Sequence, residues 1–462
     1  MTTDRTPMPR IAIDTTVSAL DDEQRAILLD RRPGDEARLK EAVRGILTEV
    51  REVGDAPLFR MARDFDGVEL ESLEIPRARW DEAREALDPE VRAALERAAR
   101  NLDAFHRAQI PSEVTFEPEP GVRLGRRSTP LPAVGVYAPG GLAAYPSSVL
   151  MGVVPARAAG VPEIVVCSPP GPEGEPPAEV LAACAIGGAT RLFMLGGAGA
   201  IAAMAYGTPT VPRVEAIVGP GNQWVTEAKR QVAGELRIDS PAGPSEVLVI
   251  AGPGADAELV AGEMVAQAEH DPEAAVAVVS WDAPTLDRVR AELAEQVARA
   301  PRAEIIRTAL ADRGAILLAD SRAEALELSE AYAAEHLSIF TDDPRGDLDT
   351  QTTAGTVFVG EPSTVAFGDY MTGANHVLPT AGRSRAFSGL SVLEFLRFYT
   401  WQEITPEAAA LMADDVGLLA DAEGLPGHAA AARARRAGAT EARQTASTHT
   451  DPSDPTDREE PR

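Results

Sequence analysis

Short apolar runs alternate with helix-periodic segments through the middle of the chain. Strand-like runs at residues 133–137 and 163–167 are each followed by a segment with apolar residues three and four positions apart. A second series of the same kind starts at residues 246–250. Because parallel strands need a crossover helix between them, this alternation predicts parallel, doubly wound sheets. We therefore expect an α/β fold with two doubly wound, incomplete Rossmann-like domains.

Both ends of the chain follow a helical pattern instead. Between residues 33 and 109, apolar residues such as Val43, Ile46 and Val50 are spaced for one face of an amphipathic helix. After about residue 386 the chain is predicted to be helical again, at residues 392–400 and 406–422. The fold class therefore includes a helical N-terminal region and a small helical C-terminal module.

The chain is long enough for more than one domain. Its 462 residues exceed what one hydrophobic core usually supports. The predicted division is an N-terminal segment 1–32, a first discontinuous α/β domain (33–132 plus 245–388), a second, nucleotide-binding α/β domain (133–244), a helical C-terminal module (389–437) and a tail (438–462). The tail is rich in Thr, Asp, Glu, Pro and Arg and is predicted to be disordered.

Charge and composition narrow the class of partner. With 72 acidic against 44 basic residues, the formal charge is −28, so we expect neither a nucleic-acid partner nor an anionic membrane surface. No apolar run approaches the roughly 20 residues that span a bilayer, and the N-terminus has no signal-peptide pattern. Cys167 and Cys184 lie in apolar surroundings, which is typical of a reducing compartment. We expect a cytoplasmic protein.

Four polar residues have the chemistry of a metal site. Gln267 and His270 stand three apart in an apolar-periodic run, so on a helix they share one face. Together with Asp369 and His428 they offer an amide oxygen, two imidazoles and a carboxylate, donors that zinc accepts. A single histidine is more often a hydrogen-bonded structural residue.

The pair Glu335-His336 opens a strand-like run and suits general base catalysis. Neighbouring side chains on a strand point to opposite faces, so both reach one substrate only at a junction of loop and strand. A surface glutamate beside a buried histidine explains the pair equally well. His106 and His449 are interpreted as structural.

Glycine-rich turns follow three of the predicted strands. They are Gly140-Gly141, Gly196-Gly197 and Gly219-Pro220-Gly221-Asn222. In open α/β sheets ligands bind at the carboxyl ends of strands, and backbone N–H groups at a helix start bind phosphates. No G-x-G-x-x-G is present, so a tight turn is an equally good explanation. Ser245 lacks a G-x-S-x-G context and is not interpreted as a nucleophile.

Several ordered phrases together carry a resemblance to a known family. They are VGVYAPGG from Val134, GPGNQWVTEAKRQV, IDSPAGPSEVLVIA, AQAEHDP, AEHLSIF, FGDYMTGANHVLPT and FSGLSVLEFLR. Over about residues 30–435 the chain resembles the histidinol dehydrogenases. The resemblance implies a four-electron oxidation of L-histidinol, through L-histidinal, to L-histidine, with reduction of two NAD⁺, as the last steps of histidine biosynthesis.

The resemblance also implies roles for individual residues. Glu335 and His336 would be catalytic: His336 accepts the alcohol proton as hydride leaves, and Glu335 activates the water that adds to the aldehyde. One zinc ion per subunit would be held by Gln267, His270, Asp369 and His428 and would orient the substrate. Substrate contacts are implied for Ser245, Gln267, His270, His336, Asp369, His376, Glu423 and His428, and NAD contacts for Tyr137 and Asn222.

Two further expectations come from the same resemblance. Glu423 and His428 lie in the C-terminal module, which resembles a segment exchanged between subunits and implies an intertwined homodimer with shared sites. Where the family commonly carries glutamine, this chain has Gly199. We therefore expect a weaker or differently shaped NAD site.

Three alternatives stay open at the level of sequence. The first is a paralogous zinc- and NAD-dependent dehydrogenase of another small alcohol, such as a sulfonated diol. The second is a zinc hydrolase, in which metal-bound water is the nucleophile. The third is a non-catalytic metal-binding scaffold, which would not need Glu335 or His336.

Overall fold

The computed structural model describes residues 7–31, 37–140, 145–240 and 243–436. The predicted disordered tail, with His449, and Gly141 lie outside these residues. The strands are β1 (Ile13–Thr16), β2 (Val114–Glu119), β3 (Val122–Pro130), β4 (Ala133–Tyr137), β5 (Glu163–Ser168), β6 (Arg191–Met194), β7 (Ala216–Val218), β8 (Arg237–Ile238), β9 (Glu246–Ala251), β10 (Ala275–Ser280), β11 (Gly314–Leu318), β12 (His336–Phe340), β13 (Thr356–Val359) and β14 (Leu396–Ile404).

The helices alternate with these strands. They are α1 (Asp22–Leu29), α2 (Ala37–Val53), α3 (Ala56–Met61), α4 (Arg77–Ala86), α5 (Pro89–Ala108), α6 (Pro146–Ala159), α7 (Ala178–Gly187), α8 (Gly197–Tyr206), α9 (Gln223–Val232), α10 (Ala257–Ala268), α11 (Ala283–Arg299), α12 (Ala303–Arg313), α13 (Arg322–Tyr332), α14 (Pro344–Leu348), α15 (Val365–Tyr370), α16 (Pro406–Ala422) and α17 (Pro426–Arg433). The chain forms two compact units, residues 1–110 with 130–396, and residues 111–129 with 397–462.

The first unit holds two parallel sheets of the same topology. One sheet has the order β6-β5-β4-β7-β8, and the other has the order β1-β11-β10-β9-β12-β13. If β1 is set aside, both follow the order 3-2-1-4-5 of their own strands, which is the doubly wound pattern with a reversal beside the first strand. The predicted fold class is confirmed. The strand β1 was not foreseen; it pairs in parallel with β11 at the edge of the six-stranded sheet.

The central strands of both sheets are mostly apolar and buried because helices cover both faces. Every residue of β4, β9 and β10 is buried. Parallel sheets of this kind have no solvated face and therefore show continuous apolar runs instead of alternation. Cys167 on β5 and Cys184 on α7 are free thiols in this core, and neither is exposed to solvent.

The N-terminal helices cover the five-stranded sheet. Val43, Leu47 and Val50 of α2 belong to the same core as Met204 of α8 and Val225 of α9. Helices α4 and α5 contact α7 and α6. The predicted division had grouped residues 33–132 with the six-stranded sheet, whereas these contacts link helices α2 to α5 to the other one. Periodicity identifies an apolar face but not the surface against which it packs.

The second unit combines strands and helices. The strands β14, β3 and β2 form a three-stranded sheet in which β2 and β3 are antiparallel. The predicted helix at 392–400 was wrong: only Val392–Phe395 form a short 3₁₀ turn, and β14 follows. Phe398, Thr400 and Trp401 favour a strand, and Trp401 packs over Gly125 of β3. Helices α16 and α17 agree with the predicted helical module.

No helix in the described part of the chain is long and apolar enough to cross a membrane.

Candidate functional site

The predicted catalytic pair lies at the amino end of the six-stranded sheet. His336 is the first residue of β12, and Glu335 directly precedes it. The neighbouring parallel strand β9 begins at Glu246, one residue after Ser245. The pair thus stands at the junction of loop and strand at which both side chains can serve one substrate. In open α/β sheets ligands usually bind at the carboxyl ends of the strands, so this predicted site lies at the opposite end of its sheet.

The main chain of Glu246 holds both members of the pair. Its N–H donates to Oε2 of Glu335 over 2.7 Å, and its carbonyl oxygen lies 3.0 Å from Nδ1 of His336. A carbonyl oxygen only accepts, so Nδ1 carries a proton in this bond, and when the ring is neutral its lone pair is on Nε2. Nε2 is buried and has no hydrogen-bond partner among the described residues. It lies 3.7 Å from Oδ1 of Asp369.

Burial and mutual attraction set the pKa values of the pair. Both side chains are about 4% exposed. Burial raises the pKa of the Glu335 carboxyl, while the imidazole beside it acts in the opposite direction. Burial alone would lower the pKa of His336, but the Glu335 carboxylate, whose Oε2 lies 3.4 Å from Nδ1, raises it to about 9. The two groups therefore behave as a coupled pair.

Gln267 and His270 mark the end of α10. The helix ends at Ala268, so His270 lies in the turn that follows and not on the predicted helical face. The N–H of His270 donates to the carbonyl of Gln267 over 3.3 Å. Gln267 is 2% exposed, and its Oε1 has no hydrogen-bond partner within the described residues. A buried amide oxygen without a hydrogen-bond partner has lone pairs available to a bound ligand or metal ion.

Asp369 and His376 come from α15 and the loop after it. Nδ1 of His376 donates to the carbonyl oxygen of Asp369 over 3.0 Å and lies 3.9 Å from its Oδ1. Burial lowers the pKa of His376, against the opposing effect of the Asp369 carboxylate and carbonyl. Asn375 fixes this loop by donating to the carbonyl of Met151 on α6 over 2.7 Å.

A buried carboxylate joins the two helices that carry the predicted metal ligands. Glu263 stands one turn before Gln267 on α10, is 6% exposed, and accepts from the N–H of Val365, the first residue of α15, over 3.0 Å. Burial raises its pKa, which is also influenced by the charges of His336 and Asp369. The sequence analysis missed this residue. Its hydrogen bond joins α10, which carries Gln267, to α15, which carries Asp369.

The donor set of the first unit fits zinc. The orphaned amide oxygen of Gln267, the imidazole of His270 and the carboxylate of Asp369 are nitrogen and oxygen ligands of the kind that zinc accepts. No group of three or more His, Cys, Asp or Glu side chains in the described ranges is gathered for a metal.

The second unit carries the two remaining predicted site residues. Glu423 follows α16, and His428 lies in the first turn of α17. Both side chains are exposed. Their roles as substrate and zinc contacts stay predictions.

The predicted nucleotide contacts lie at the carboxyl end of the five-stranded sheet. Turns follow β4 and β7, the neighbours between which the strand order reverses. Gly219 has φ +114°, and a side chain there would collide with the main chain of Tyr137. Oδ1 of Asn222 caps α9 by accepting from Trp224 N and Val225 N. The structure thus forms a turn with a helix start beside it, as the glycine pattern predicted.

Tyr137 is buried and contacts the start of α8. Its hydroxyl accepts from the N–H of Gly197, the first residue of α8, over 3.1 Å, and the residue is 4% exposed.

A buried ion pair holds the main chain of Gly219. Lys229 pairs with Asp239 and donates to the carbonyl of Gly219 over 2.9 Å, while Asp239 accepts from Gly219 N over 2.7 Å. This buried pair was not foreseen, since the sequence does not show that Lys229 and Asp239 meet.

Three comparisons with known proteins point to one family. A family model described as histidinol dehydrogenase matches residues 29–436. The chain is 47% identical over 421 residues to a histidinol dehydrogenase from Haloarcula marismortui, covering 91% of this chain and 99% of the relative. It is 45% identical over 415 residues to that of Thermus thermophilus, with 90% and 99% covered. A crystal structure of the enzyme from Elizabethkingia anophelis superposes with a TM-score of 0.88 at 32% identity, covering 92% of this chain and 98% of that one.

Proposed function

The chain belongs to the histidinol dehydrogenase family, and on that premise we propose that it oxidises L-histidinol through L-histidinal to L-histidine. The balanced reaction takes up one water and two NAD⁺ and releases L-histidine, two NADH and three protons. The observation that carries the proposal is the buried pair at the amino end of β12, in which Nε2 of His336 is free while Nδ1 is held by Glu246.

In the first oxidation His336 is the base. Its Nε2 takes the hydroxyl proton of L-histidinol as the carbinol carbon gives a hydride to NAD⁺, which leaves the aldehyde. Because the Nδ1–H bond to Glu246 fixes the ring and its tautomer, the lone pair keeps one direction. The adjacent Glu335 carboxylate stabilises the imidazolium that forms.

In the second oxidation Glu335 is the residue that activates water. The water adds to the aldehyde carbon and loses a proton to the carboxylate, which gives the hydrate. After His336 has released its first proton to solvent, it accepts a hydroxyl proton from the hydrate as the same carbon gives its remaining hydride to a second NAD⁺. Burial supports this role, since a carboxylate withdrawn from solvent is a stronger base.

Substrate binding relies on the remaining site residues. Zinc, when bound to Gln267, His270, Asp369 and the C-terminal His428, supplies a fixed cation that orients the imidazole and amino nitrogens of the substrate. Ser245 and His376 are proposed to contact the substrate from the loops on either side. The nucleotide is assigned to the turn of Asn222 and to the neighbourhood of Tyr137.

A homodimer with shared sites is part of the proposal. Helix α16 presents large apolar side chains to solvent, with Leu411 80%, Leu418 64% and Leu419 69% exposed. Contiguous exposed apolar residues support an interface with a second copy of the chain. The partner's α16 and α17 would then bring Glu423 and His428 to the site. We also propose a cytoplasmic location, which agrees with buried, unpaired cysteines.

The comparisons do not support the alternative of a paralogous dehydrogenase. The reported relatives, found in archaea and bacteria, carry the name histidinol dehydrogenase. The glycine turns at the carboxyl end of the five-stranded sheet argue against a hydrolase, which needs no nucleotide.

The deciding experiment counts NADH. Purified protein is incubated with limiting L-histidinol and excess NAD⁺, and absorbance at 340 nm is compared with the L-histidine formed. We expect two NADH per L-histidinol, loss of activity after zinc is removed by chelation, and recovery when zinc is returned. One NADH per substrate with release of the aldehyde would contradict the proposal, and so would activity that survives complete zinc removal.

A further inference from the structure

The Glu246 carboxylate lies behind the catalytic pair and is itself held by a buried arginine. Nε and Nη2 of Arg31 donate to Oε1 and Oε2 of Glu246 over 2.8 and 2.9 Å, which is a bidentate ion pair. The two side chains are 2% and 3% exposed. A buried pair of this kind has a large desolvation cost, which the bidentate geometry and the further hydrogen bonds of both side chains offset.

Arg31 also grips the segment that leads to the catalytic pair. Its Nη2 donates to the carbonyl of Tyr332, the last residue of α13, over 3.0 Å, and its guanidinium stacks on the Tyr332 ring at 3.6 Å. Only Ala333 and Ala334 separate Tyr332 from Glu335. Arg31 therefore binds both Glu246 and the end of α13, the helix that precedes β12.

The Glu246 carboxylate reaches a third segment of the site. Its Oε1 accepts from the N–H of Ala381 over 2.8 Å, at the end of the loop that carries His376. Ala381 and Ala333 are the non-glycine residues with positive φ in the described part of the chain, at +58° and +51°. Such conformations cost free energy and persist only where surrounding contacts impose them. Both are adjacent to the contacts that Arg31 and Glu246 make.

From these contacts we propose that Arg31 and Glu246 are positioning residues, which hold Glu335 and His336 in their reactive geometry. Neither side chain touches the substrate. Arg31 fixes the carboxylate of Glu246, and the main-chain N–H and carbonyl of Glu246 fix Glu335 and the tautomer of His336. The inference rests on the proposed function for its kinetic consequence, but the geometry can be measured without activity.

The test replaces Arg31 by Lys and by Met. Lysine keeps the charge and loses the bidentate fork, whereas methionine keeps the length and loses the charge. We expect kcat to fall roughly tenfold in Arg31→Lys and roughly a hundredfold in Arg31→Met, with both KM values within about twofold of wild type. The expected fall in kcat at constant KM separates positioning from a general loss of folded protein, which leaves the kcat per active site unchanged.

The same sheet offers a matched control. Arg322 donates to the buried Asp347 over 2.8 Å near the carboxyl end of β12, far along the strand from His336. Arg322→Lys and Arg322→Met also remove ion pairs from this sheet. They should change the melting temperature without lowering kcat. If Arg31→Met does not fold, Arg31→Lys against Arg322→Lys decides the question.

Crystal structures of wild type and the Arg31 variants provide the second readout. We expect the 3.0 Å contact between Nδ1 of His336 and the carbonyl of Glu246 to be lost or lengthened in the variants. Retention of this contact, or a fall in kcat no larger than in the Arg322 controls, overturns the inference. If wild type fails to reduce NAD⁺ with L-histidinol, the proposed function is overturned, and the crystallographic comparison alone decides the positioning role.

Discussion

At the scale of residues, the chemistry of the site depends on which hydrogen bonds are made and which are left open. Nδ1 of His336 is hydrogen-bonded, whereas Nε2 of His336 and Oε1 of Gln267 have no hydrogen-bond partner among the described residues. The identity of these residues could be predicted from the phrases AQAEHDP and AEHLSIF. Their partners could not, because Glu246 precedes His336 by 90 positions. Sequence spacing carries no information about contacts at that range.

Replacing His336 and replacing Glu335 should affect the two oxidation steps differently. We expect His336→Gln to lower kcat for both oxidations by about 10² to 10⁴, because the base is lost. Glu335→Gln should slow the oxidation of L-histidinal more than that of L-histidinol, since only the second oxidation needs activated water. Single-turnover measurements with each substrate test this. Asp347→Asn, a buried carboxyl at the other end of β12, is the control; an equal loss in that variant would contradict the assignment.

His106 should make stability depend on pH. It is 1% exposed in α5, and burial lowers its pKa from 6.5 to about 4, against the weaker effect of Asp103. Between about pH 6.5 and pH 4, the His106 imidazole is therefore more protonated in the unfolded chain than in the folded one. The stabilising contribution is complete above about pH 6.5 and is lost as the pH falls towards 4, in total on the order of 3 kcal/mol.

Urea unfolding of wild type and His106→Gln at several pH values between 7 and 4.5 measures this contribution. Other buried acids titrate in the same window, so the quantity of interest is the difference between the two proteins. We expect wild type to lose more unfolding free energy than the variant as the pH falls. A difference that is constant over the window contradicts the prediction.

At the scale of elements, the two sheets share a topology but use opposite ends. The five-stranded sheet leaves a crevice with glycine turns at its carboxyl end, as the rule for doubly wound sheets predicts. In the six-stranded sheet, Gly252 N donates to the carbonyl of Phe340 over 2.8 Å, so β9 and β12 stay joined past their carboxyl ends. The proposed catalytic residues Glu335 and His336 lie at the amino end instead. The pattern of apolar residues predicts the sheet topology, but it does not show at which end of a sheet the site lies.

The position of Gly199 allows a direct test of the nucleotide end. It lies in the first turn of α8, and a Cβ there would lie 2.8 Å from Sδ of Met61. A methionine side chain is flexible enough to shift. We expect Gly199→Gln to fold and to lower the NAD⁺ KM several-fold at unchanged kcat, because an amide returns to a site that lacks it. Gly199→Leu has similar bulk without the amide; an equal gain there, or an unchanged KM in the glutamine variant, would refute the idea.

At the scale of the whole molecule, the proposed site draws its residues from both compact units. Glu335, His336, Gln267, His270 and Asp369 belong to the first unit, and Glu423 and His428 belong to the second. The exposed leucines of α16 support an interface, and the resemblance to the family implies exchange. The division of the chain was predicted less well than its topology, since the N-terminal helices contact the sheet that precedes Glu246. Long-range packing of amphipathic helices is not encoded in their period.

Complementation between two inactive variants tests shared sites. A protein with Glu335→Gln and another with His428→Ala are refolded together in equal amounts. In a dimer whose sites combine the first unit of one chain with the second unit of the other, each mixed dimer contains one intact site. We expect about one quarter of the wild-type activity. Glu335→Gln with Asp369→Asn, both in the first unit, should restore none. Absence of recovery in the first mixture would show that each chain builds its own site.

The burial of Cys167 and Cys184 has a practical consequence. Both thiols are fully covered, and burial raises their pKa well above the ordinary value, so the native protein presents no thiolate to an electrophile. A maleimide dye should leave the folded enzyme unlabelled. A single cysteine introduced at an exposed position such as Glu304 on α12, whose side chain is 92% exposed, would then be the sole attachment point for a fluorophore or spin label, with no need to delete native residues first.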